Sequence, residues 1–396
     1  MKTPKIRFKG FEGDWEEKKL GELCIWISEK YWERSDLEVF SVNNKNGFIL
    51  QTEHFDNNEI ASKDKRNYKI VTKNQFAYNP SRINVWSIAY LKNEDAVIVS
   101  PLYNIFECKK ELNEMFLERF MKTFLFNKQR ILNTEVSVRE CLSFEGYCKI
   151  KIIKPETKEQ EKIWSLFEQL DSHISKNQQK LEKLKNMKHS FLQKLFPKDW
   201  SALPELRFKG FEEAWEERKL GEIAECFSWG TPEANNPFYY WGNIPFIRSW
   251  EIHKNKTELY LTHLWLENSS AKIVSKWIIL YALYWATSWE VNISKINWAI
   301  NQAILAINPN KYYCSKFIVE RLRKDKNKII WTYLQGWQWN LSWDIVKKFA
   351  LKFPLLPEQE KIWAFFEKLD TQITQQTQKL EKLKNLKQSL LEKMFI

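Results

Sequence analysis

The sequence lacks the long apolar segments that exported and membrane-spanning chains need. No run of about 18 uncharged apolar residues occurs, and the N-terminal segment MKTPKIRFKGFEGDWEEKK is charged where a signal peptide would be apolar. The six cysteines form no CxxC pair and lie near no histidine cluster with zinc spacing. We therefore expect a cytoplasmic chain with reduced thiols, no metal ion and no contact with a membrane.

Motifs of the common catalytic classes are also absent. The sequence contains no glycine-rich phosphate loop, no FxGxG-like cofactor loop after a strand, no HExxH and no Asn-Pro-Pro-aromatic tetrapeptide of an amino-methyltransferase. The five histidines are scattered, and carboxylates are concentrated in charged helical segments, where a solvated helix face is the ordinary interpretation. We therefore predict no catalytic residue, and an enzyme is the least favoured class of function.

Glycine is scarce, whereas tryptophan is abundant. The chain has 10 glycines and 20 tryptophans, although an average glycine content of about 7% would give roughly 28 glycines. Many tryptophans occupy positions where glycine would be ordinary: Trp229, Trp241, Trp285, Trp289, Trp337, Trp339 and Trp343. Only Trp15 and Trp215, which share a sequence context, look native. We hypothesise that UGA codons that mean glycine in the source organism have been translated as tryptophan. Stacking of indoles on bases is the alternative, but it would not deplete glycine.

Basic residues exceed acidic ones. Lysine and arginine number 62, against 50 aspartate and glutamate residues, so the formal net charge is +12. Such a chain attracts polyanions through its summed long-range field. This excess favours nucleic acid as a partner only modestly, because many basic proteins bind none.

An internal repeat with an offset near 200 residues organises the chain. The segment RFKGFEGDWEEKKLGE (residues 7–22) recurs as RFKGFEEAWEERKLGE (residues 207–222), and we name it the RFKGF motif. Two further segments recur at an offset of 199: KEQEKIWSLFEQLDSHI matches PEQEKIWAFFEKLDTQI, and KLEKLKNMKHSFLQKLF matches KLEKLKNLKQSLLEKMF. Solenoid units are only about 20–50 residues long, so this period indicates two duplicated domains.

The closing segment of each half has the periodicity of a long helix. Apolar residues recur at steps of three and four at Ile163, Phe167, Leu170, Ile174, Leu181 and Leu184, and again at Ile362, Phe366, Leu369, Ile373, Leu380 and Leu383. We expect these residues to form the seam of two helices of about 37 residues, each roughly 55 Å long. The helices would pair as an antiparallel coiled coil with pseudo-two-fold symmetry. A coiled coil that merely dimerises the chain is the alternative.

The segments between the RFKGF motif and the long helix differ between the halves. Residues 23–156 and 223–356 mix strand patterns with amphipathic helices, which predicts α+β domains. The turn AYNPSRIN offers side chains that suit DNA, because arginine can pair with guanine and asparagine with adenine. A capped turn with a phosphate-facing arginine is an equal alternative. The DNA-binding candidates are Asn79, Ser81, Arg82, Asn84 and Arg139 in the first half, and Arg248, Gln338 and Asn340 in the second.

Taken together, several segments resemble the specificity subunit of type I restriction-modification systems. These are GFEEAWEERKLGE, AYNPSRIN, TPEANNPFYY followed by IPFIRS, LLPEQEKI and KLEKLKNLKQSLLEKMF, and the resemblance covers nearly the whole chain. It implies two target recognition domains that each read half of a bipartite double-stranded DNA site. It also implies long helices that separate these domains and bind methylation subunits, with a restriction subunit completing the nuclease. S-adenosylmethionine would then be bound by the partner methylation subunit, which acts on adenine, and this chain would bind no cofactor.

We therefore predict an α+β chain with two tandem target recognition domains, at residues 1–157 and 198–356. A long conserved helix follows each, at residues 158–197 and 357–396. The predicted function is a non-catalytic DNA-specificity subunit. The alternative is a coiled-coil scaffold whose two domains bind protein or sugar, and whose binding would not weaken steeply with salt as DNA binding does.

Overall fold

In the computed structural model, the chain is divided into two α+β units. The structure describes residues 3–31, 37–44, 46–54, 65–136, 140–228, 236–268, 273–284, 290–333 and 341–395. The first unit comprises Met1–Gln178 with Gln378–Ile396, and the second comprises Gln179–Thr377. Each unit thus contains one mixed domain, the first half of one long helix and the second half of the other. The predicted α+β fold class is confirmed.

The first unit is organised around a four-stranded antiparallel sheet in the order β2-β9-β6-β7. Phe76 and Phe106 of this sheet share a buried cluster with Phe116 and Phe120 of α3. The strands are β1 (Glu16–Lys19), β2 (Cys24–Ile27), β3 (Phe40–Asn43), β4 (Gly47–Leu50), β5 (Lys69–Thr72), β6 (Gln75–Tyr78), β7 (Ile88–Tyr90), β8 (Ala96–Val99), β9 (Asn104–Cys108), β10 (Glu135–Val136), β11 (Glu140–Cys141) and β12 (Lys151–Lys154). The helices are α1 (Leu20–Leu23), α2 (Gln51–His54), α3 (Glu114–Met121), α4 (Phe124–Leu132), α5 (Phe144–Lys149) and the first half of α6 (Thr157–Lys194).

The second unit repeats this plan with a four-stranded sheet in the order β14-β20-β17-β18. Its β13 pairs with β21 just as β1 pairs with β12 in the first unit. The strands are β13 (Glu216–Lys219), β14 (Ala224–Phe227), β15 (Tyr240–Ile247), β16 (Tyr260–Leu261), β17 (Ile279–Ala282), β18 (Val291–Ile293), β19 (Ala299–Ile300), β20 (Ile304–Pro309) and β21 (Ala350–Phe353). The helices are α7 (Leu220–Ile223), α8 (His263–Glu267), α9 (Ser315–Tyr333), α10 (Trp343–Lys347) and the first half of α11 (Leu356–Met394).

The two long helices pack against each other in antiparallel orientation, as predicted. Within the first unit, the ring of Phe167 near the start of α6 lies 6.2 Å from that of Phe395, just past the end of α11. Within the second unit, Phe366 near the start of α11 lies 6.1 Å from Phe196, just past the end of α6. The contacts are therefore reciprocal. No helix in the described part of the chain is both long and apolar enough to cross a membrane.

One lysine–aspartate ion pair beside the seam joins the two long helices in each unit. Lys387 of α11 pairs with Asp171 of α6, and Lys188 of α6 pairs with Asp370 of α11 at 2.7 Å. The predicted seam residues are all buried or half-buried: Ile163, Phe167, Leu170, Ile174, Leu181, Leu184, Ile362, Phe366, Leu369, Ile373, Leu380 and Leu383. The helices contain 38 and 39 residues, close to the predicted length of about 37.

In each unit a buried ion pair fastens the RFKGF motif to the first turn of a long helix. The Arg7 guanidinium contacts both carboxylate oxygens of Glu159 at 2.8 and 2.9 Å, and Arg207 contacts those of Glu358 at 2.9 and 2.8 Å. Glu159 is 0% exposed and Glu358 is 1% exposed. The hydrogen bond from Arg207 to Glu358 raises the pKa of this arginine, so the guanidinium stays charged. This geometry explains why two distant segments recur together in both halves of the sequence.

Candidate nucleic-acid interface

The connection between β6 and β7 presents several of the predicted DNA-binding residues at the surface. It contains a 3₁₀ helix, Pro80–Val85, and the buried Ile83 anchors it to the core of the first unit. Ser81, Arg82 and Asn84 are exposed on this helix. The backbone N–H of Asn79 donates to Ser87 O at 3.0 Å, which closes the base of the connection. The segment therefore holds three polar side chains on a short, anchored turn.

The roles of the side chains in this β6–β7 loop are not equivalent. The Asn79 side-chain oxygen accepts the backbone N–H of Ser81 at 3.1 Å and so caps the turn. This is the capped turn that was the alternative to base reading by this segment. Within the described residues, the Arg82 guanidinium forms no ion pair or hydrogen bond. Arg82 is thus available for a phosphate or a guanine edge, whereas the oxygen of Asn79 is already engaged.

A short hairpin lies directly beside the β6–β7 loop. Its strands β10 and β11 pair at Glu135 with Cys141 and at Val136 with Glu140. The Leu142 N–H, immediately after the hairpin, donates to Pro80 O at 3.1 Å. The predicted DNA-binding residue Arg139 lies outside the described residues. The fold therefore brings strands β10 and β11 next to the loop that contains Arg82, although the two segments are far apart in the sequence.

The second unit has a corresponding backbone hydrogen bond between two connections, at residues that the structure describes. The Leu341 N–H, just before α10, donates to Leu283 O, just after β17, at 3.0 Å. This bond is the counterpart of the one from Leu142 to Pro80. The next residue caps the following helix in both units, since Ser143 Oγ accepts the Gly146 N–H at 3.2 Å and Ser342 Oγ accepts the Ile345 N–H at 3.3 Å. Gln338 and Asn340 belong to the connection before α10, but both lie outside the described residues.

Arg248 is placed elsewhere and has an internal partner. It follows β15, and its Nε donates to Glu251 Oε2 at 2.9 Å while its guanidinium lies 4.6 Å from the Trp250 ring. Glu251 is 0% exposed, and its carboxylate also faces the Thr257 hydroxyl at 3.4 Å. Although burial alone would raise the pKa of Glu251, the side-chain and backbone hydrogen bonds from Arg248 lower it overall. Arg248 thus stabilises a buried carboxylate. It belongs neither to the β6–β7 loop and hairpin of the first unit nor to their counterparts in the second, and we call these neighbouring segments the paired connections.

A groove beside the β6–β7 loop contains polar residues that sequence reasoning missed. It has a volume of about 680 Å³, and its lining includes Asn44, Asn46, Trp86, Lys92 and Lys122. Trp86 directly follows the 3₁₀ helix of the β6–β7 loop, so the groove adjoins the loop. The segment VNNKNGF carries an ordinary hairpin-turn signal, and nothing in it distinguishes turn-forming from ligand-binding asparagines.

Comparison with known proteins gives consistent matches over both halves. A family model described as the type I restriction modification DNA specificity domain matches residues 12–186 and again residues 212–385. Among solved structures, the fold is similar to the S subunit of a type I restriction-modification system from M. genitalium. That similarity has a TM-score of 0.63 at 15% identity and covers 100% of this chain and 99% of that one. A second structure concerns complex assembly and conformational transition of the type I R-M system. It matches with a TM-score of 0.57 at 15% identity, over 96% of this chain and 97% of that one.

Proposed function

Because the chain belongs to the family of type I restriction-modification DNA specificity proteins, we propose that it is the sequence-specificity subunit of a type I restriction-modification complex. Each unit reads one half of a bipartite double-stranded DNA site, and the chain itself catalyses no reaction. The observation that carries this proposal is that both units build the same sheet order and the same pair of adjacent connections, whose sequences differ. Two domains that share one fold but differ in their surface loops can each contact a different base sequence, because base contacts determine specificity.

The paired connections are the proposed contact surface with DNA. In the first unit they comprise the β6–β7 loop, with Ser81, Arg82 and Asn84, and the β10–β11 hairpin. Arg139 is a further proposed contact residue, outside the described residues. In the second unit they comprise the described residues at Leu283 and Leu341. Gln338 and Asn340 are further proposed contact residues, outside the described residues. Arginine pairs in bidentate fashion with guanine, and asparagine and glutamine pair with adenine, so these side chains suit the major groove. The net charge of +12 supports the approach of the chain to a phosphate backbone.

The long helices supply the proposed spacing and partner surface. Half-sites can be read from one face of DNA when their centres lie about one helical turn, roughly 34 Å, or a multiple of it apart. A helix of 38 residues, at about 1.5 Å per residue, has the right scale for a spacer. We propose that these helices also dock adenine-methyltransferase and restriction subunits, and that S-adenosylmethionine is bound by the methyltransferase partner.

Arg82→Ala tests whether the β6–β7 loop reads bases. In a complex of this chain with its methylation subunits, the variant should lose about 1–3 kcal/mol of discrimination at one base pair of a single half-site. The other half-site should be read unchanged. The measurement is binding to duplexes in which each base pair of the target is replaced in turn.

Arg218→Ala is the matched control for that experiment. Arg218 is an exposed arginine on β13, opposite Leu351 of β21, and it pairs with Glu216 at 2.6 Å. Its removal should leave discrimination at both half-sites intact. If Arg82→Ala behaves like Arg218→Ala, the β6–β7 loop does not read bases through Arg82, and this part of the proposal is wrong.

A further inference from the structure

Most of the described non-glycine residues with a left-handed backbone conformation are tryptophans. Among the described residues, four that are not glycine have a positive φ: Asn74, Trp86, Trp241 and Trp277. Asparagine tolerates this region, but a bulky aromatic residue there is a genuine outlier. Tryptophan makes up only about one residue in twenty of the chain, yet it accounts for three of these four positions. Each of the three also belongs to a different local motif that favours glycine.

Trp86 ends the 3₁₀ turn of the β6–β7 loop. Its φ and ψ are 61° and 37°, and its N–H bonds back to the carbonyl oxygens of Arg82 and Ile83. Glycine is the usual residue where a helical turn closes in the left-handed conformation, because it lacks a Cβ atom. The indole of Trp86 is partly buried and lies 6.2 Å from the Phe126 ring, but this packing does not remove the conflict between its Cβ atom and the left-handed backbone.

Trp241 lies at an irregularity in the pairing of β15 with β16. The register shifts between Tyr240 and Ile244, and Trp241 has a φ of 65°. A glycine in the left-handed conformation is a standard first residue of a bulge in antiparallel strands. The Trp241 side chain is 90% exposed, so it gains almost nothing from burial.

Trp277 is the third residue of a tight turn. The Ile278 N–H approaches Ser275 O at 3.4 Å, which closes the turn, and Trp277 has a φ of 80°. This φ is that of the third residue of a type II turn, where glycine or asparagine is required. Three unrelated motifs thus place tryptophan where glycine is the preferred residue.

We infer that the codons for Trp86, Trp241 and Trp277 specify glycine in the source organism, so that the native protein has glycine at these three positions. The codon UGA differs from the glycine codon GGA by one base, and a table that reads UGA as tryptophan would produce this sequence. The same decoding explains why glycine is depleted and tryptophan enriched throughout the chain. Stacking of indoles on bases would explain neither the depletion nor the positive φ values. This inference does not depend on the proposed function.

The other tryptophans that the sequence analysis named fall into three groups. Trp229, Trp285, Trp289, Trp337 and Trp339 lie outside the described residues. Trp343 opens helix α10, where the backbone places no demand for glycine. Trp15 and Trp215 are buried in the cores of their units, at 2% and 4% exposure, and the inference leaves both as tryptophan.

Peptide mass spectrometry of the protein isolated from its source cells tests the inference directly. The tryptic peptide of residues 83–92 contains Trp86 as its only tryptophan, and the peptide of residues 10–18 contains only Trp15. We expect the first peptide to carry glycine at position 86 and the second to carry tryptophan at position 15. The gene should correspondingly have UGA at codons 86, 241 and 277 and UGG at codons 15 and 215. Tryptophan at position 86 in the native peptide, or UGG at all five codons, would overturn the inference.

The melting temperatures of variants of the chain that contains tryptophan test the inference independently. Trp241→Gly should raise the melting temperature by about 2–4 °C, because glycine relieves the left-handed strain at an exposed site. Trp241→Ala should raise it less, since alanine retains the Cβ atom that conflicts with this conformation. Trp215→Gly should lower the melting temperature, because it empties a core position. If Trp241→Gly gives no gain over Trp241→Ala, position 241 has no preference for glycine, and the structural argument there fails.

Discussion

Replacing Arg207 by methionine should lower the free energy of unfolding by about 3–5 kcal/mol, because it leaves the Glu358 carboxylate buried without a partner. Both oxygens of Glu358 accept hydrogen bonds from Arg207, at 2.9 and 2.8 Å, and the glutamate is 1% exposed. Burying an unpaired charge is among the most destabilising changes that a single substitution can make. Chemical denaturation followed by circular dichroism measures the effect.

Two variants separate loss of the ion pair from other effects of the substitution. Lys209→Met changes an exposed cation two positions along the same motif and should alter stability by no more than about 0.5 kcal/mol. The double variant Arg207→Met with Glu358→Met removes the buried charge as well and should regain much of the loss. A single Arg207→Met variant as stable as Lys209→Met would show that the pair does not fasten the RFKGF motif to its helix.

Phe196→Ala should also cost about 3–5 kcal/mol, since it removes a fully buried aromatic ring at the end of α6. Phe196 stacks on Phe366 at 6.1 Å and lies 5.1 Å from Phe317 and 6.1 Å from Trp215, all within the second unit. Its loss opens a cavity where the start of α11, the α+β domain and the RFKGF motif meet. The melting temperature and the denaturation midpoint measure the change.

Phe124→Ala is the matched control, because Phe124 is 74% exposed on α4 and has little packing to lose. It should shift the stability by less than about 0.5 kcal/mol. Phe395→Ala should resemble Phe196→Ala, since Phe395 has the reciprocal position in the first unit, 5.1 Å from Phe116 and 6.2 Å from Phe167. A mild effect at Phe196 or Phe395 comparable to that at Phe124 would contradict the reciprocal packing of the helix ends.

The long helices were predictable from sequence because their determinants are local. Apolar residues at steps of three and four define one face of a helix whatever lies beyond it, and Ile163, Phe167 and Leu170 are indeed buried. Which segments of the chain combine to form each unit was not predictable in this way. That the end of α11 completes the core of the first unit depends on contacts such as Phe395 with Phe116, whose partners lie 279 positions apart in the sequence.

The candidate interface was less accessible from sequence, because the same side chains serve structure and recognition. Arg248 and Arg82 look alike as arginines beside turns, yet Arg248 pairs with a buried carboxylate and Arg82 has no partner among the described residues. The only local signal was Glu251, three positions after Arg248. The β6–β7 loop and the hairpin are joined by long-range contacts, such as the backbone hydrogen bond from Leu142 to Pro80, which no periodicity reveals.

The most direct test of the central claim is a long-read map of methylated adenines in DNA from cells that carry this chain together with its methylation subunits. The matched sample comes from cells that express the same methylation subunits but lack this chain. A specificity subunit predicts a split motif with a fixed unread gap, present in the first sample and lost in the second. An identical adenine methylome in both samples, with expression of the partners confirmed, would contradict the account and favour a scaffold that binds protein or sugar.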